Sequence, residues 1–282
     1  MNATLAAWAA PRLAVVEAAI GASFPDAVPA SLRDACLYPL KTGGKRIRPL
    51  LALAACEAVG GDWRHAVPAA LAVELLHTYS LVHDDLPSMD DDDERRGRPT
   101  VHVQFGENVA VLVGDALLTE AFATLAGSGY APALATRLVA ELARAGGAAG
   151  MIAGQALDIG MDGAVRDLDP LLRLHRLKTG ALIRAAVRMG GLCGGATDLA
   201  ALDAYGDAVG LAFQVQDDVL DAEQDSVDAE GEGPPSFVKL LGVAETQATA
   251  IAHAERALAA VAGLSNADAL RLLARFTVER TI

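Results

Sequence analysis

A dense run of acidic side chains marks the part of this sequence best suited to chemistry. Seven carboxylates lie within the eleven residues from Asp84 to Glu94, and Arg95, Arg96 and Arg98 follow at once. Carboxylates at the end of an apolar helix oppose the helix dipole and repel one another. A bound divalent cation relieves both effects, because hard cations such as Mg²⁺ take carboxylate oxygens as ligands. The alternative is a solvated charge run in a loop.

A second acidic set follows much later in the chain. Asp217 and Asp221 are four residues apart in an apolar helical pattern, so both project from one face, and Gln214 shares that face. Like charges at this spacing destabilise a helix by roughly 0.2–0.5 kcal/mol. The apolar neighbours indicate partial burial, which is costly for unpaired carboxylates. Cations are again the simplest compensation.

A basic segment, GGKRIRP at 43–49, has the features of an anion site. It combines a glycine pair, three basic residues and the start of a predicted helix near Pro49, a favoured first helical position. Backbone N–H groups at a helix N-terminus and nearby cations attract phosphates. An ordinary basic turn is the alternative.

One helix leads into the first acidic run. His77 lies seven residues before Asp84, so the two stand on one helical face two turns apart, with Ser80 and Leu81 between them. Pro87 disrupts the regular hydrogen bonding that follows and predicts an irregular turn. That turn would let Asp90 fold back towards Asp84. A satisfied core histidine remains the alternative for His77.

The elements that hold these residues are predicted to be helices throughout. The 282 residues are 52% hydrophobic, dominated by Ala and Leu, and only 4% aromatic, which favours an all-α protein packed through small side chains. We expect a single-domain bundle over 1–282, with about ten or more helices around a central active-site cavity. A glycine at 180, inside the helix that starts at Pro170, predicts a local break or a close approach. The other predicted helices are 12–24, 31–40, one from near 49, 65–86, 108–125, 131–145, 147–159, 239–262 and 266–279.

Composition and charge exclude several classes of protein. The formal net charge is −13 and the pI is about 4.8, so we expect no nucleic-acid partner. Three cysteines, far apart and in no metal-ligand spacing, indicate reduced core residues in a cytoplasmic protein. No apolar stretch reaches eighteen residues without interruption, so we expect no stable membrane insertion. The apolar helix 108–125 is predicted to be buried or to face a second subunit, as in a homodimer.

Six motifs occur in unbroken order between Gly43 and Asp221. They are GGKRIRP at 43–49, DDLPSMD at 84–90 with RRGRPT at 95–100, GDAL at 114–117, GQALD at 154–158, KTG at 178–180, and FQVQDD at 213–218. This series resembles the trans-prenyltransferases, the all-helical isoprenyl diphosphate synthases (polyprenyl synthetases), and most closely the bacterial farnesyl diphosphate synthases.

The resemblance implies a role for each matched residue. Asp84, Asp90 and Asp217 would bind Mg²⁺ ions that hold an allylic diphosphate, with Asp85, Asp218 and Asp221 in support. The allylic diphosphate would contact Arg95 and the catalytic residues Lys178 and Gln214, with Thr179 beside the reacting carbon. Isopentenyl diphosphate would lie against Gly44, Lys45, Arg48, His77 and Arg96.

The implied reaction joins isopentenyl diphosphate to dimethylallyl or geranyl diphosphate and gives farnesyl diphosphate and diphosphate. Cations stabilise the departing diphosphate, so the allylic C–O bond ionises, and water must be excluded. In this family, bulk just upstream of the first acidic motif sets product length. Tyr79, five residues before Asp84, resembles the bacterial C15 type, although helical geometry puts Ser80 directly beneath Asp84.

The chain departs from the family after Asp221. The loop at 222–236 looks short, and Pro234 or Pro235 stands where a diphosphate-binding lysine is expected. Lys239 is the only Lys or Arg between Arg188 and Arg256. We expect either that Lys239 substitutes or that the allylic diphosphate is held less firmly.

Three rival functions remain. Geranylgeranyl and geranyl diphosphate synthases share these motifs and differ in product length. A non-catalytic partner subunit of a prenyltransferase would be expected to lose aspartates, and this chain keeps both sets. A terpene cyclase of the same fold pairs one aspartate motif with an Asn/Ser/Glu triad, whereas residues 214–221 supply a second aspartate motif.

Overall fold

Helices account for nearly all regular structure in this protein, a computed structural model that describes residues 1–224 and 236–280. The only strands in those residues are β1 (Glu94–Arg95) and β2 (Arg98–Pro99), which pair antiparallel in a short hairpin. The all-α prediction is therefore confirmed. The α-helices are α1 Ala3–Gly21, α2 Ala30–Lys41, α3 Ile47–Ala58, α4 Val67–Asp84, α5 Val101–Phe105, α6 Glu107–Gly127, α7 Pro132–Gly146, α8 Met151–Asp158, α9 Leu168–His175, α10 Ala181–Cys193, α11 Ala200–Gln224, α12 Phe237–Leu241, α13 Val243–Ala260 and α14 Asp268–Glu279.

Several helix boundaries differ from those predicted. The first helix begins at Ala3 rather than at 12, because the Asn2 side chain caps it by accepting a hydrogen bond from the Leu5 N–H at 2.9 Å. Pro11 lies inside that helix without ending it. The predicted helix 239–262 is two helices, α12 and α13, because Gly242 adopts a φ of 81° between them.

The core of the bundle is built on α3, α4 and α10. Nearly every residue of α3 is buried, and α10 packs along it. Small side chains allow the close approach: a Cβ added at Gly190 in α10 would lie 2.0 Å from the carbonyl oxygen of Ala52 in α3. One cluster of buried apolar side chains contains residues from Leu5 to Ala274, and a smaller one is formed by Leu171, Val215, Phe237 and Ala250. The single domain over 1–282 stays a prediction.

The helix predicted from Pro170 is interrupted where the glycine indicated. Residues Arg176–Gly180 form a π-helical turn between α9 and α10. Such turns widen the hydrogen-bond ladder and are frequent at functional sites. The same turn is closely packed, since a Cβ at Gly154 would lie 2.2 Å from the Lys178 backbone nitrogen. Both the break and the close approach are confirmed.

Among the residues that the structure describes, two helices have the length and composition of a membrane span. These are α1, with a mean hydropathy of 1.3, and α6, with 1.7. The core helices of soluble proteins pass the same test, so the expectation of no membrane insertion stays a prediction.

The contact between α10 and α3 gives a test of the packing. We expect Gly190→Ala to destabilise the fold by about 1–3 kcal/mol, because the new methyl group forces α3 and α10 apart. The midpoint of urea unfolding measures the change. Gly127→Ala is the matched control, since a Cβ there meets nothing within 4 Å and is expected to be neutral or slightly stabilising. Equal stability of Gly190→Ala and wild type would refute the packing described for these helices.

Candidate active site

The first acidic motif turns back on itself at the end of α4. The Asp90 N–H donates to the Asp84 carbonyl at 2.8 Å, so the predicted irregular turn after Pro87 is present. Burial raises the pKa of Asp84 to about 6; Lys178 opposes this shift and the nearby Asp90 carboxylate adds to it. Burial also raises the pKa of Asp90. These two carboxylates therefore form one site whose negative charge is poorly compensated.

Asp85 is held by an arginine from the hairpin. It is only 3% exposed and accepts a hydrogen bond from the Arg95 Nε at 2.7 Å. The short β1–β2 hairpin carries Arg95 into this position. The remaining acids of the run are exposed, and Asp92 lies 3.4 Å from the Arg95 guanidinium. Asp85 thus fixes Arg95 beside the first motif, which fits a supporting role.

The second acidic set is compensated by a residue that the sequence did not reveal. Arg280, just after α14, places its Nη2 2.5 Å from Asp217. Its guanidinium also stacks 4.0 Å from the Phe213 ring centre and donates to the Phe213 carbonyl at 2.8 Å. Burial raises the pKa of Asp217, and Arg280 opposes this shift. No local pattern joins residues so far apart in sequence.

Gln214 links the π-helical turn to the second acidic set. Its Oε1 accepts from the Thr179 hydroxyl at 2.8 Å, and its Nε2 donates to Asp218 at 3.2 Å. The sequence predicted that Gln214 shares a helical face with Asp217, whereas in the structure the Gln214 amide donates to Asp218. Asp218 also accepts the Phe237 N–H at 2.7 Å, and burial raises its pKa to about 6. These bonds give Asp218 and Gln214 a positioning role in this state.

Lys178 connects the π-helical turn to the first motif. It forms an ion pair with Asp158, the last residue of the GQALD segment. Its charge also lowers the pKa of both Asp84 and Asp90 against the effect of burial. Lys178 therefore stands between α8 and the first acidic motif, where it can meet an anion bound there.

The predicted anion site brings the basic segment, α4 and the hairpin together. Arg96 has a φ of 56° and donates to the Gly43 carbonyl. Gly44 has a φ of 141°, which favours glycine, and a Cβ there would lie 2.8 Å from the Arg96 Nη1. The pKa of His77 is lowered well below its usual value by burial and then by Arg48 and Arg96. An accumulation of positive charge around a neutral histidine is suited to a diphosphate.

An unpartnered buried atom lies in the same region. The Nε of Arg48 is buried and has no hydrogen-bond partner in the described residues, and burial followed by Arg96 lowers its pKa against the effect of nearby acids. Buried donors without partners are costly, so this atom indicates a missing acceptor. Lys45 is exposed on the same segment. Arg46, in contrast, forms ion pairs with Glu74 at 3.0 Å and with Glu17 at 2.7 Å, which hold it in a structural role.

The residues fit Mg²⁺ that binds together with a diphosphate. Within residues 1–224 and 236–280, no three His, Cys, Asp or Glu side chains converge tightly enough to hold a metal alone. Mg²⁺ usually takes one or two carboxylates and completes its shell with water and substrate phosphates. The raised pKa values of Asp84, Asp90 and Asp217 show carboxylates in need of positive charge. Asp221 is exposed on the same helix as Asp217.

The two chain-length candidates occupy different surroundings. Tyr79 is 6% exposed, and its ring meets the His83 ring edge-on at 5.8 Å. His83 in turn packs so closely on α6 that a Cβ at Gly114 would lie 1.9 Å from its ring, which accounts for the glycine of GDAL. Ser80 shares the partly exposed face of His77 and Asp84 and donates to the His77 carbonyl at 2.8 Å.

Part of the sequence prediction lies outside the described residues. Residues 225–235 include Pro234 and Pro235, so the expected shortened loop stays a prediction. Lys239 is exposed near the start of α12, and its proposed substitution for the missing lysine also stays a prediction.

Comparison with known proteins places these motifs in one family. The sequence model described as polyprenyl synthetase matches residues 29–232. Farnesyl diphosphate synthase of Escherichia coli (strain K12) is 44% identical over 261 residues, which are 86% of this chain and 87% of the relative. Geranylgeranyl pyrophosphate synthase 11, chloroplastic, of Arabidopsis thaliana is 48% identical over 217 residues, 74% of this chain but 61% of the relative. An apo crystal structure described as an FPP/GFPP synthase from Zymomonas mobilis has a TM-score of 0.89 and 36% identity, covering 99% of this chain and 100% of that one.

Because the carboxylate of Asp84 is partly buried, we expect the stability of the metal-free protein to depend on pH. The pKa of Asp84 in the folded protein is about 6, above the ordinary value of 3.8. The contribution of the protonated Asp84 carboxyl to the free energy of unfolding is therefore complete below pH 3.8 and is lost as the pH rises through 6. Asp84→Asn avoids the buried charge and is expected to raise the melting temperature in EDTA at pH 7.5 by roughly 2–4 °C. This gain should shrink below pH 6 and vanish near pH 4.

The exposed Asp91, where asparagine also suits the φ of 55°, supplies the control. Asp91→Asn should leave the melting temperature unchanged at every pH. A gain for Asp84→Asn that does not depend on pH would contradict this description of Asp84.

Proposed function

The chain belongs to the polyprenyl synthetase family and is a short-chain prenyltransferase, and from this premise we propose that its main product is farnesyl diphosphate, formed from isopentenyl diphosphate and dimethylallyl or geranyl diphosphate. The observation that carries the proposal is that the π-helical turn links the two carboxylate sets: the charge of Lys178 acts on Asp84 and Asp90, and the Thr179 hydroxyl bonds Gln214 on the helix of Asp217. A separate basic pocket surrounds His77. Two anion-binding regions of different composition suit two diphosphate substrates. The carboxylate region would take the allylic substrate together with metal, and the basic pocket would take isopentenyl diphosphate.

Each region has a distinct task in this mechanism. Mg²⁺, when bound by Asp84, Asp90 and Asp217, supplies the charge that stabilises the departing diphosphate. Lys178 and Arg95 orient the same diphosphate and add positive charge where the leaving group develops negative charge. The ionised allylic carbon is then next to Thr179, whose hydroxyl is held in place by Gln214.

The basic pocket positions the nucleophilic double bond. Arg48, Arg96 and Lys45 hold the second diphosphate by charge-assisted hydrogen bonds. His77, neutral because its pKa is lowered, donates a hydrogen bond without adding charge. After the new carbon–carbon bond forms, a proton leaves the resulting cation, and the released diphosphate is a sufficient base. No protein base is needed for this step.

Product length is the main question among the related activities. Relatives named farnesyl and geranylgeranyl synthases match this chain at similar identity. The buried ring of Tyr79 favours the shorter product, because it fills space upstream of Asp84. A geranylgeranyl or geranyl diphosphate synthase is the second candidate. A non-catalytic partner subunit is disfavoured, since both acidic sets and Lys178 are present.

The test is to incubate the purified chain with Mg²⁺, dimethylallyl diphosphate and isopentenyl diphosphate and to size the products by mass spectrometry. We expect mainly C15 from wild type. Tyr79→Ala should shift most of the product to C20 or longer, because it removes the buried ring. Tyr79→Phe, which keeps the bulk, should still give C15. Lack of any product would refute the enzymatic proposal, and unchanged C15 output from Tyr79→Ala would refute the role of Tyr79.

We also propose that the protein acts as a homodimer in the cytoplasm. Helices α5 and α6 expose large apolar residues, with Val103, Val111 and Leu112 exposed by 48%, 43% and 57%. Exposed apolar patches often mark interfaces between subunits. Cys36, Cys56 and Cys193 are buried free thiols, and burial raises the pKa of each. Unpaired thiols of low reactivity suit a reducing compartment.

Light scattering after size-exclusion chromatography tests the dimer. Wild type is expected near twice the chain mass of 29.0 kDa. Leu112→Glu should shift the mass towards that of one chain, because it buries a charge in the interface. Ile251→Glu is the control, since Ile251 is 50% exposed on α13 and should leave the dimer intact. A dimer that survives Leu112→Glu would exclude this side of α6 as the interface.

A further inference from the structure

A large groove lies apart from the candidate active site. Its volume is about 780 Å³, within the range of about 300–1,000 Å³ typical of small-molecule sites. Residues of α7, α10, α11 and α13 line it, together with the π-helical turn and the segment just before α8. None of the substrate-binding and metal-binding residues named above lines it. We call it the outer groove.

The outer groove is basic although the whole chain is acidic. Five arginines and two carboxylates line it, whereas the formal net charge of the chain is −13. Some of these charges compensate one another. Arg188 bonds Glu141 at 2.9 Å and Asp203 at 2.5 Å, and Arg184 lies 3.2 Å from Asp203. These pairs form the fixed framework at one end.

The arginines at the other end have no such partners. Arg176 and Arg256 form no hydrogen bond or ion pair within the described residues, and both are exposed. His253 lies with them, because its pKa is lowered by burial and then by Arg256 and Arg176. The charge of Arg176 also reaches Asp207, which is paired more closely with Arg184. Two uncompensated guanidinium groups beside a histidine make a receptor for an anion.

Part of the lining of the outer groove is apolar. Leu177, Ala181, Ala208 and Leu211 line it, so the groove offers a surface for a hydrocarbon chain next to its cationic end. Guanidinium groups donate paired hydrogen bonds to phosphate oxygens, and the negative charge of a phosphate strengthens these bonds. We propose that the outer groove binds an amphiphilic diphosphate of the isoprenyl class, with its head on Arg176 and Arg256 and its tail along the apolar lining.

A ligand in this groove contacts the back of the catalytic segment. Arg176, Leu177 and Gly180 line the groove and belong to the π-helical turn that carries Lys178 and Thr179. The turn is also packed closely against α11, because a Cβ at Gly210 would lie 3.0 Å from the Gly180 Cα. Occupancy of the groove therefore changes the position of Lys178 and the rate of the reaction. The groove is a regulatory site that senses isoprenyl diphosphates.

Isothermal titration of the whole protein with farnesyl diphosphate in the presence of Mg²⁺ tests the proposal. We expect two sites per chain in wild type and one in the double variant Arg176→Ala/Arg256→Ala. Affinity at the groove should fall at least about tenfold, because two charge-assisted contacts are lost. The control is Arg137→Ala/Arg275→Ala, which removes two exposed arginines outside the groove and should keep both sites. Inorganic pyrophosphate should bind the groove more weakly than farnesyl diphosphate, because it lacks the tail.

The results separate this inference from the proposed function. A single site in wild type that survives Arg176→Ala/Arg256→Ala overturns the groove proposal while leaving the enzyme assignment intact. If both double variants lose the second site equally, binding there depends on the overall charge of the protein and not on the groove, and the groove proposal is also overturned. If the chain forms no product but still binds one farnesyl diphosphate that the groove variant loses, the groove stands and the enzyme proposal fails. With both proposals correct, excess farnesyl diphosphate alters the initial rate of wild type and of the control, and that effect is weakened in the groove variant.

Discussion

The need to compensate buried carboxylates governs the organisation of this protein. Two acidic sets lie on different helices, and burial raises the pKa of Asp84, Asp217 and Asp218. Buried charge is tolerated only where opposite charge or hydrogen bonds offset the lost hydration. Each set therefore requires a cation from elsewhere in the chain. In the described residues the cations next to these sets come from irregular segments and not from the middle of helices.

These cations are delivered by the short exceptions to the helical pattern. Arg95 belongs to the β1–β2 hairpin, Lys178 to the π-helical turn, and Arg280 follows the last helix. The helices supply rigid supports, and close contacts at glycines bring those supports near enough. Gly154 admits the backbone of Lys178, and Gly114 admits the ring of His83. A methyl group at either glycine would displace a segment that carries the site.

Sequence patterns foretold the local features of the site and missed the distant ones. Pro87 predicted the turn that returns Asp90 to Asp84, and a mid-helix glycine predicted the break at 176–180, because both effects act within one or two helical turns. Arg280 was missed, since a single arginine near the end of the chain carries no periodic signal towards Asp217. The pairing of Lys178 with Asp158 escaped notice for the same reason. The start of α1 was wrong because one capping side chain, Asn2, outweighed the interruption expected from Pro11.

The ion pairs at the active site offset the charge of buried carboxylates, and a metal ion can take the place of the paired arginine. Asp217 and Arg280 satisfy one another at 2.5 Å, yet burial still leaves the pKa of Asp217 raised, so the arginine offsets the cost of its charge only in part. A divalent cation carries more charge in a smaller volume and binds phosphate oxygens as well, so it can replace an arginine at a carboxylate without leaving that charge exposed. A substrate that arrives with metal then completes a site whose charges are already arranged. The same reasoning separates two kinds of arginine in the outer groove, because Arg188 is satisfied by Glu141 and Asp203, whereas Arg176 and Arg256 form no ion pair with any residue that the structure describes.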